Sequence, residues 1–303
     1  MSSGSKFTDI RIAVIGGTGL YKLDGLKFLA ELNLETPWGK PSSPINIFET
    51  ENGNKIAFLA RHGKQHNLLP SEVPFQANIA ALKHIGAKII IAFSSVGSLI
   101  EEVRPGDFVL PDQIIDRTKG VRKDTFFGKG FTGHSSFGDP FHSGISDLVN
   151  KHQDALLDSK LIQNGCVVAI EGPAFSTRME SNLYRSWGAT VINMTSIPEA
   201  KLAREAEIAY QMVCMATDYD SWKIHEEAVT TSIVMETLKK NGENANRLLA
   251  SFLGSLEKKA YSSEEELAMF TNNKDSFRNS LMQPPELRSV DQVSNFRYMF
   301  PDL

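Results

Sequence analysis

Short apolar runs that end in polar residues recur along the chain. Ile12-Ala13-Val14-Ile15 leads into Gly16-Gly17-Thr18-Gly19, the run from Ile56 to Ala60 into Arg61-His62-Gly63, and the run from Lys88 to Phe93 into Ser94-Ser95. Residues Cys166 to Ile170 precede Glu171-Gly172-Pro173-Ala174-Phe175-Ser176-Thr177, Thr190 to Ile192 precede Asn193-Met194-Thr195, and Tyr210 to Ala216 precede Thr217-Asp218-Tyr219-Asp220. Runs that are apolar on both faces fit strands buried in a sheet. Phe108-Val109-Leu110 and Ile114-Ile115 add further sheet material. Between the runs the spacing becomes helical: Phe75, Ile79 and Leu82 from Pro74 to Gly86, then Met179, Leu183 and Trp187, then a helix beginning near Pro198. The alternation of strand and helix predicts an α/β fold, and such sheets bind ligands at the carboxyl ends of their strands. A polar, Gly-rich stretch from Thr118 to Phe137 reads as a long loop of the kind that often carries function.

Composition narrows the partners. The chain has 303 residues with 32 basic and 36 acidic side chains, a net charge of −4. That leaves no basic footprint for nucleic acid and no general attraction to anionic membranes, so any phosphate must be captured locally. Cys166 and Cys214 are the two cysteines, both in apolar runs, which fits reduced thiols and neither a disulfide framework nor a metal cluster. Without an apolar signal core or a long apolar span, the chain is expected in the cytoplasm, with nuclear presence left open. No linker divides the sequence, so residues 1–260 are expected to form one catalytic domain. Residues 261–303, polar and poorly periodic, form a C-terminal extension that either covers a neighbouring subunit or is a flexible tail.

The strand ends suggest chemistry. In an extended run Asp218 and Asp220 point the same way, so two carboxylates converge on one volume. A protonated carboxyl can donate to purine N7 while its other oxygen accepts from a 6-amino group; a solvated turn would use the same residues. Arg61-His62 after a buried strand could clamp an anion. The turn Gly16-Gly17-Thr18-Gly19 offers backbone amides to phosphate, yet it fails the G-x-G-x-x-G fingerprint, whose last position is Lys22, and lacks the P-loop ending.

The segments IAVIGGTGLY, ARHGKQHNLLP, EGPAFSTRMES, INMTSIPEA and MATDYDSWKIHEE are similar to those of the 5′-methylthioadenosine phosphorylases, in the trimeric purine nucleoside phosphorylase family, in order from Ile10 to Leu249. The resemblance implies a single-domain three-layer fold with a central mixed, partly closed sheet flanked by helices, a homotrimer, and no metal or organic cofactor. It implies a phosphate site of Thr18, Arg61, His62, Ser94, Ser95 and Thr195. It implies Met194 on the ribose face, His134 near its 5′ end, from the same or a neighbouring subunit, Phe175 stacked on the base, and Thr231, Val234 and Met235 around the methylthio group. Where relatives acting on inosine and guanosine carry a Glu that accepts from N1–H, this chain has Ser176, and where they carry an Asn near N7 and O6 it has Asp218. Both departures favour a 6-amino purine.

The expected activity is that of a pentosyltransferase: reversible phosphorolysis of 5′-methylthioadenosine to adenine and 5-methylthioribose 1-phosphate, with orthophosphate as co-substrate. Asp218 is expected as the acid at N7, supported by Asp220, the two sharing one proton. The alternatives are a 6-oxopurine nucleoside phosphorylase, a hydrolase that uses water, and a catalytically silent purine-binding protein.

Overall fold

In the computed structural model, residues 7–20, 23–128, 130–224 and 231–303 are described, with 231–235 described in backbone only. Among the described residues nine strands form one mixed sheet. They are β1 (Ile12–Gly16), β2 (Lys27–Leu32), β3 (Ile45–Glu49), β4 (Lys55–Ala60), β5 (Ile89–Ser98), β6 (Phe108–Arg117), β7 (Leu161–Ile170), β8 (Val191–Asn193) and β9 (Ala209–Tyr219). Their order is β2-β3-β4-β1-β5-β8-β7-β6-β9, with a second pairing between β5 and β9. That pairing turns β5 to β9 into a closed barrel, while β2, β3, β4 and β1 extend from it as an open wing. The expected mixed, partly closed sheet is present.

The continuous apolar runs explain the burial. Strand β1 is buried throughout, and β4, β5 and β9 are buried over most of their lengths, because helices cover both sheet faces. These four run parallel, so their carboxyl ends share one edge. Helices α1 (Phe75–His84), α3 (Arg178–Ser186) and α4 (Ser196–Glu205) follow strand ends, α2 (Ser143–Asn150) follows the long loop, and α5 (Thr231–Ala260) follows β9. Helix α1 starts after Pro74 and buries Phe75, Ile79 and Leu82, as its spacing predicts. Strands β2 and β3, which no apolar run announces, form an antiparallel hairpin whose outer strand is half exposed.

Residues 261–303 fold onto their own chain as α6 (Glu264–Thr271), α7 (Ser276–Ser280) and α8 (Val290–Phe296). Phe277 and Phe296 are fully buried and stack with Phe131 of the long loop. The backbone continues the contact: Met282 N donates to Thr132 O, Ser289 N to Gly130 O and His134 N to Ser280 O. No helix among the described residues is long and apolar enough to cross a membrane.

Candidate active site

The shared carboxyl edge opens into a cleft of about 900 Å³, within the usual range for small-molecule sites. Its hydroxyl end is built from β1, β5 and β8. Ser95 Oγ donates to the Thr18 carbonyl at 2.9 Å, so the β5 end is fastened to the glycine turn. Gly17 N donates to Phe93 O, and a Cβ at Gly17 would lie 2.5 Å from Arg61 Nη1, so only glycine lets these segments meet.

Asn193 organises the rest of this end. Its Nδ2 donates to Ser94 Oγ at 2.9 Å and to Ser95 O at 3.1 Å, while its Oδ1 accepts from Thr195 N at 2.7 Å and Ser196 N at 2.6 Å. One buried amide thus ties β5 to the start of α4, and Ser94 and Thr195 hydroxyls stand 3.4 Å apart. The Asn side chain satisfies amides at a helix start, which is the ordinary cap chemistry of this residue.

The cleft brings together Thr18, His62, Ser94, Ser95 and Thr195 with Phe175, Met194, Asp218 and Asp220. Arg61 is outside the lining, at 1% exposure. Its Nε and Nη2 donate to Glu199 at 2.6 and 2.7 Å, its Nη1 to Phe93 O at 3.0 Å, and Tyr210 holds the same carboxylate at 2.8 Å. A cation this deeply buried requires a paired anion, and Glu199, 138 residues away, supplies it. Arg61 and His62 are therefore not an open anion clamp: the guanidinium is spent on Glu199.

His62 does face the cleft, and its ring is neutral. Burial, reinforced by the Arg61 charge, pushes its pKa down to about 4. Its Nδ1 lies 2.8 Å from Leu68 O, which assigns the proton to Nδ1 and leaves Nε2 as an acceptor.

At the other end, β9 carries a bulge. Val96 pairs with Ala216 but Gly97 pairs with Asp218, so Thr217 is an extra residue. The strand ends at Tyr219, and the chain then turns so that all residues from Thr217 to Ser221 reach the cleft. Strict alternation is thus not what brings the two carboxylates together. Asp218 Oδ1 accepts from Thr217 Oγ1 at 2.6 Å. Asp220 is 4% exposed, and its Oδ2 is buried without a hydrogen-bond partner. Burial pushes its pKa up, against hydrogen bonds from Ser181 and the Ser221 amide.

Ser176, buried and outside the cleft lining, has an unpartnered Oγ. His134 is exposed and also outside it, because the long loop is held away by the C-terminal segment. The side chains of Thr231, Val234 and Met235 lie outside the described residues. Gly172 has a φ of +69°, and a Cβ there would lie 2.5 Å from Met194 Sδ, so the turn after β7 packs directly on Met194. Among the described residues no group of three or more His, Cys, Asp or Glu could hold a metal ion.

Two side chains with little signal in the sequence reinforce this site. Glu199 is a carboxylate on an otherwise well-buried helix, a pattern that could have pointed to a paired cation. Arg122 lies in the long loop and carries no motif.

Comparison with known proteins fits this geometry. Residues 11–254 match the Phosphorylase superfamily. An S-methyl-5′-thioadenosine phosphorylase of Yarrowia lipolytica is 54% identical over 268 residues, covering 85% of this chain and 84% of the relative. One from Neurospora crassa is 52% identical over 295 residues, covering 96% and 94%. Among solved structures, a methylthioadenosine phosphorylase from an antarctic soil metagenomic library superimposes with a TM-score of 0.88 at 40% identity, covering 97% of this chain and 99% of that one. A mutant adenosine/methylthioadenosine phosphorylase of Schistosoma mansoni, in complex with methylthioadenosine, gives 0.80 at 30%, covering 90% and 99%. The chain belongs to the phosphorylase superfamily and, within it, to the S-methyl-5′-thioadenosine phosphorylases.

Proposed function

We propose that this chain is a pentosyltransferase that cleaves S-methyl-5′-thioadenosine with orthophosphate, giving adenine and 5-methylthioribose 1-phosphate. The observation that carries the reading is the polarity of one cleft: hydroxyls and an imidazole at one end, two carboxylates at the other. Phosphate is held by Ser94, Ser95, Thr195 and Thr18 with His62, while Arg61 acts from behind the cleft wall by fixing the Gly17 turn. Bound phosphate attacks C1′ as the bond to N9 lengthens, and charge collects on the leaving adenine.

The carboxylate pair answers that charge. Asp218 donates to N7, and the buried, unpartnered Oδ2 of Asp220 accepts from the 6-amino group. Burial pushes the Asp220 carboxyl up, which favours retention of a proton at this end of the cleft. A 6-oxo purine would leave that oxygen facing another acceptor, and a buried polar group without its partner costs about 1 to 3 kcal/mol. Met194 packs on the ribose and Phe175 on the base. Ser176 lies beside the base end, and His134, exposed and outside its own chain's cleft, is placed to serve the 5′ end of a neighbouring copy's site. In the same reading the chain works as a homotrimer, supported by the exposed apolar stripe of Phe175, Met179, Leu183 and Trp187 beside the cleft.

Phosphate-dependent release of adenine tests the reading, compared among methylthioadenosine, adenosine and inosine. Methylthioadenosine should be preferred, and without phosphate no methylthioribose should appear. Asp218→Asn should lower kcat/KM on methylthioadenosine about 100-fold or more, the ordinary worth of a general acid. It should also raise the inosine-to-methylthioadenosine ratio, since an amide suits a 6-oxo purine. Full activity of Asp218→Asn at neutral pH would remove the assigned acid.

A further inference from the structure

The long loop between β6 and α2 sends one side chain, Arg122, under the floor of the cleft. The residue is 8% exposed. Its Nη1 donates to Met194 O at 2.6 Å and Ile197 O at 2.7 Å, and its Nη2 donates to Glu171 O at 2.5 Å. Its Nε faces Ser71 Oγ at 3.3 Å and the Glu171 carboxylate at 2.6 Å. Ser71 Oγ also donates to Glu171, and Glu171 Oε2 accepts from Lys119 N at 2.6 Å. One guanidinium therefore joins three segments that line the cleft: Leu69 and Pro70, Ile170 with Pro173, and Met194.

We infer that Arg122 is a positioning residue for the nucleoside half of the site, setting the gap between Met194 and the turn that carries Phe175. Gly172 packs on Met194 Sδ, so the spacing of these two segments fixes the ribose and base walls together. The phosphate half has its own clamp in Asn193, which holds Ser94 and Thr195 without Arg122. Arg122 reaches that segment too, at the Met194 and Ile197 carbonyls, but Asn193 still fastens Thr195 to Ser94 in its absence, so loss of Arg122 falls more heavily on the nucleoside half. Lysine cannot replace the fork: a single ammonium cannot donate to carbonyls that a planar guanidinium reaches in three directions. Gly130, Thr132, Gly133 and His134 of the loop are bridged to the C-terminal segment, so that segment steadies the loop that delivers Arg122.

The inference rests on the phosphorolysis reading, and the experiment separates the two. Wild-type turnover tests the reading, and the ratio of variant to wild type tests Arg122. Arg122→Lys and Arg122→Ala are assayed with the nucleoside and phosphate varied in turn, after circular dichroism establishes that each is folded. Both should lose about 10- to 100-fold in kcat/KM for methylthioadenosine, the scale expected for walls displaced by about 1 Å, while KM for phosphate changes less than about threefold. Millimolar guanidinium should restore part of the Arg122→Ala activity and none of the Arg122→Lys activity, because the ammonium fills the space. Folded Arg122→Lys with wild-type nucleoside kinetics would overturn the assignment, as would equal losses toward both substrates with no guanidinium response. If Arg122→Ala does not fold, Arg122→Lys alone decides. Should wild type turn over nothing, adenine titrated into wild type and Arg122→Lys gives the answer: weakening of about tenfold or more supports the positioning role, and equal affinity removes it.

Discussion

His62 shows how a residue can be found by its position and still have its chemistry misjudged. Beside Arg61 in sequence it suggests a pair of cations for phosphate. In the fold Arg61 is neutralised by Glu199, and burial leaves His62 uncharged with Nδ1–H on Leu68 O. The Nε2 lone pair can then accept only from a proton that the anion brings, and HPO4²⁻ carries one on its hydroxyl. Phosphate binding at pH 8 should therefore exchange close to no protons with the buffer, which calorimetry in buffers of different ionisation enthalpy measures. Uptake of about one proton per site would show instead that the ring becomes an imidazolium beside the anion. What stayed hidden at this scale were the partners of buried charges. Glu199 lies 138 residues from Arg61 and Glu171 49 residues from Arg122, and no local spacing links such pairs.

Elements were legible where burial makes the pattern simple. Strands β1, β4, β5 and β9 read as unbroken apolar runs because helices cover both faces, and their polar ends marked Thr18, Ser94, Ser95 and Asp218. The hairpin β2–β3 did not, because Lys27-Phe28-Leu29-Ala30-Glu31-Leu32 does not alternate: Phe28 is exposed and a bulge shifts the register between Phe28 and Ala30. Helix α4 ends in Glu205, whose two carboxylate oxygens accept at 2.6 Å from Thr125 Oγ1 and Phe126 N, joining the helix to the long loop. Burial raises its pKa from 4.5 to about 7. A carboxyl raised in the folded state holds its proton more tightly there than in the unfolded chain, so stability falls as pH rises between 4.5 and 7. The loss is about 3 kcal/mol at most. Glu205→Gln does not titrate. In urea denaturation at fixed protein concentration, the stability of wild type relative to Glu205→Gln should decline by up to about 3 kcal/mol from about pH 4.5 to about pH 8. A gap independent of pH would show that Glu205 stays ionised throughout.

At the scale of the whole molecule, helical spacing cannot tell a core stripe from an exposed one. Phe75, Ile79 and Leu82 on α1 are buried, whereas Met179, Leu183 and Trp187 on α3, with equally regular spacing, are exposed. The α3 stripe continues through Phe175, 78% exposed, to Ile224, 77% exposed, at the mouth of the cleft. Large exposed apolar patches are typical of interfaces, and in the proposed trimer a copy seated there would exclude water from the same mouth. The proposed trimer makes a sharp demand on one substitution. Met179 is 78% exposed in the single chain, so Met179→Glu should cost the protomer no more than about 0.5 kcal/mol. Placed against a second copy, the same carboxylate is buried without a partner and opposes assembly by several kcal/mol. Sedimentation should find wild type at three chain masses and Met179→Glu shifted to one, with circular dichroism unchanged. Turnover of methylthioadenosine should fall with the assembly, most at low protein concentration, because the open mouth admits water beside Phe175. If Met179→Glu sediments and turns over as wild type does, α3 faces solvent and the assembly, if any, uses another surface.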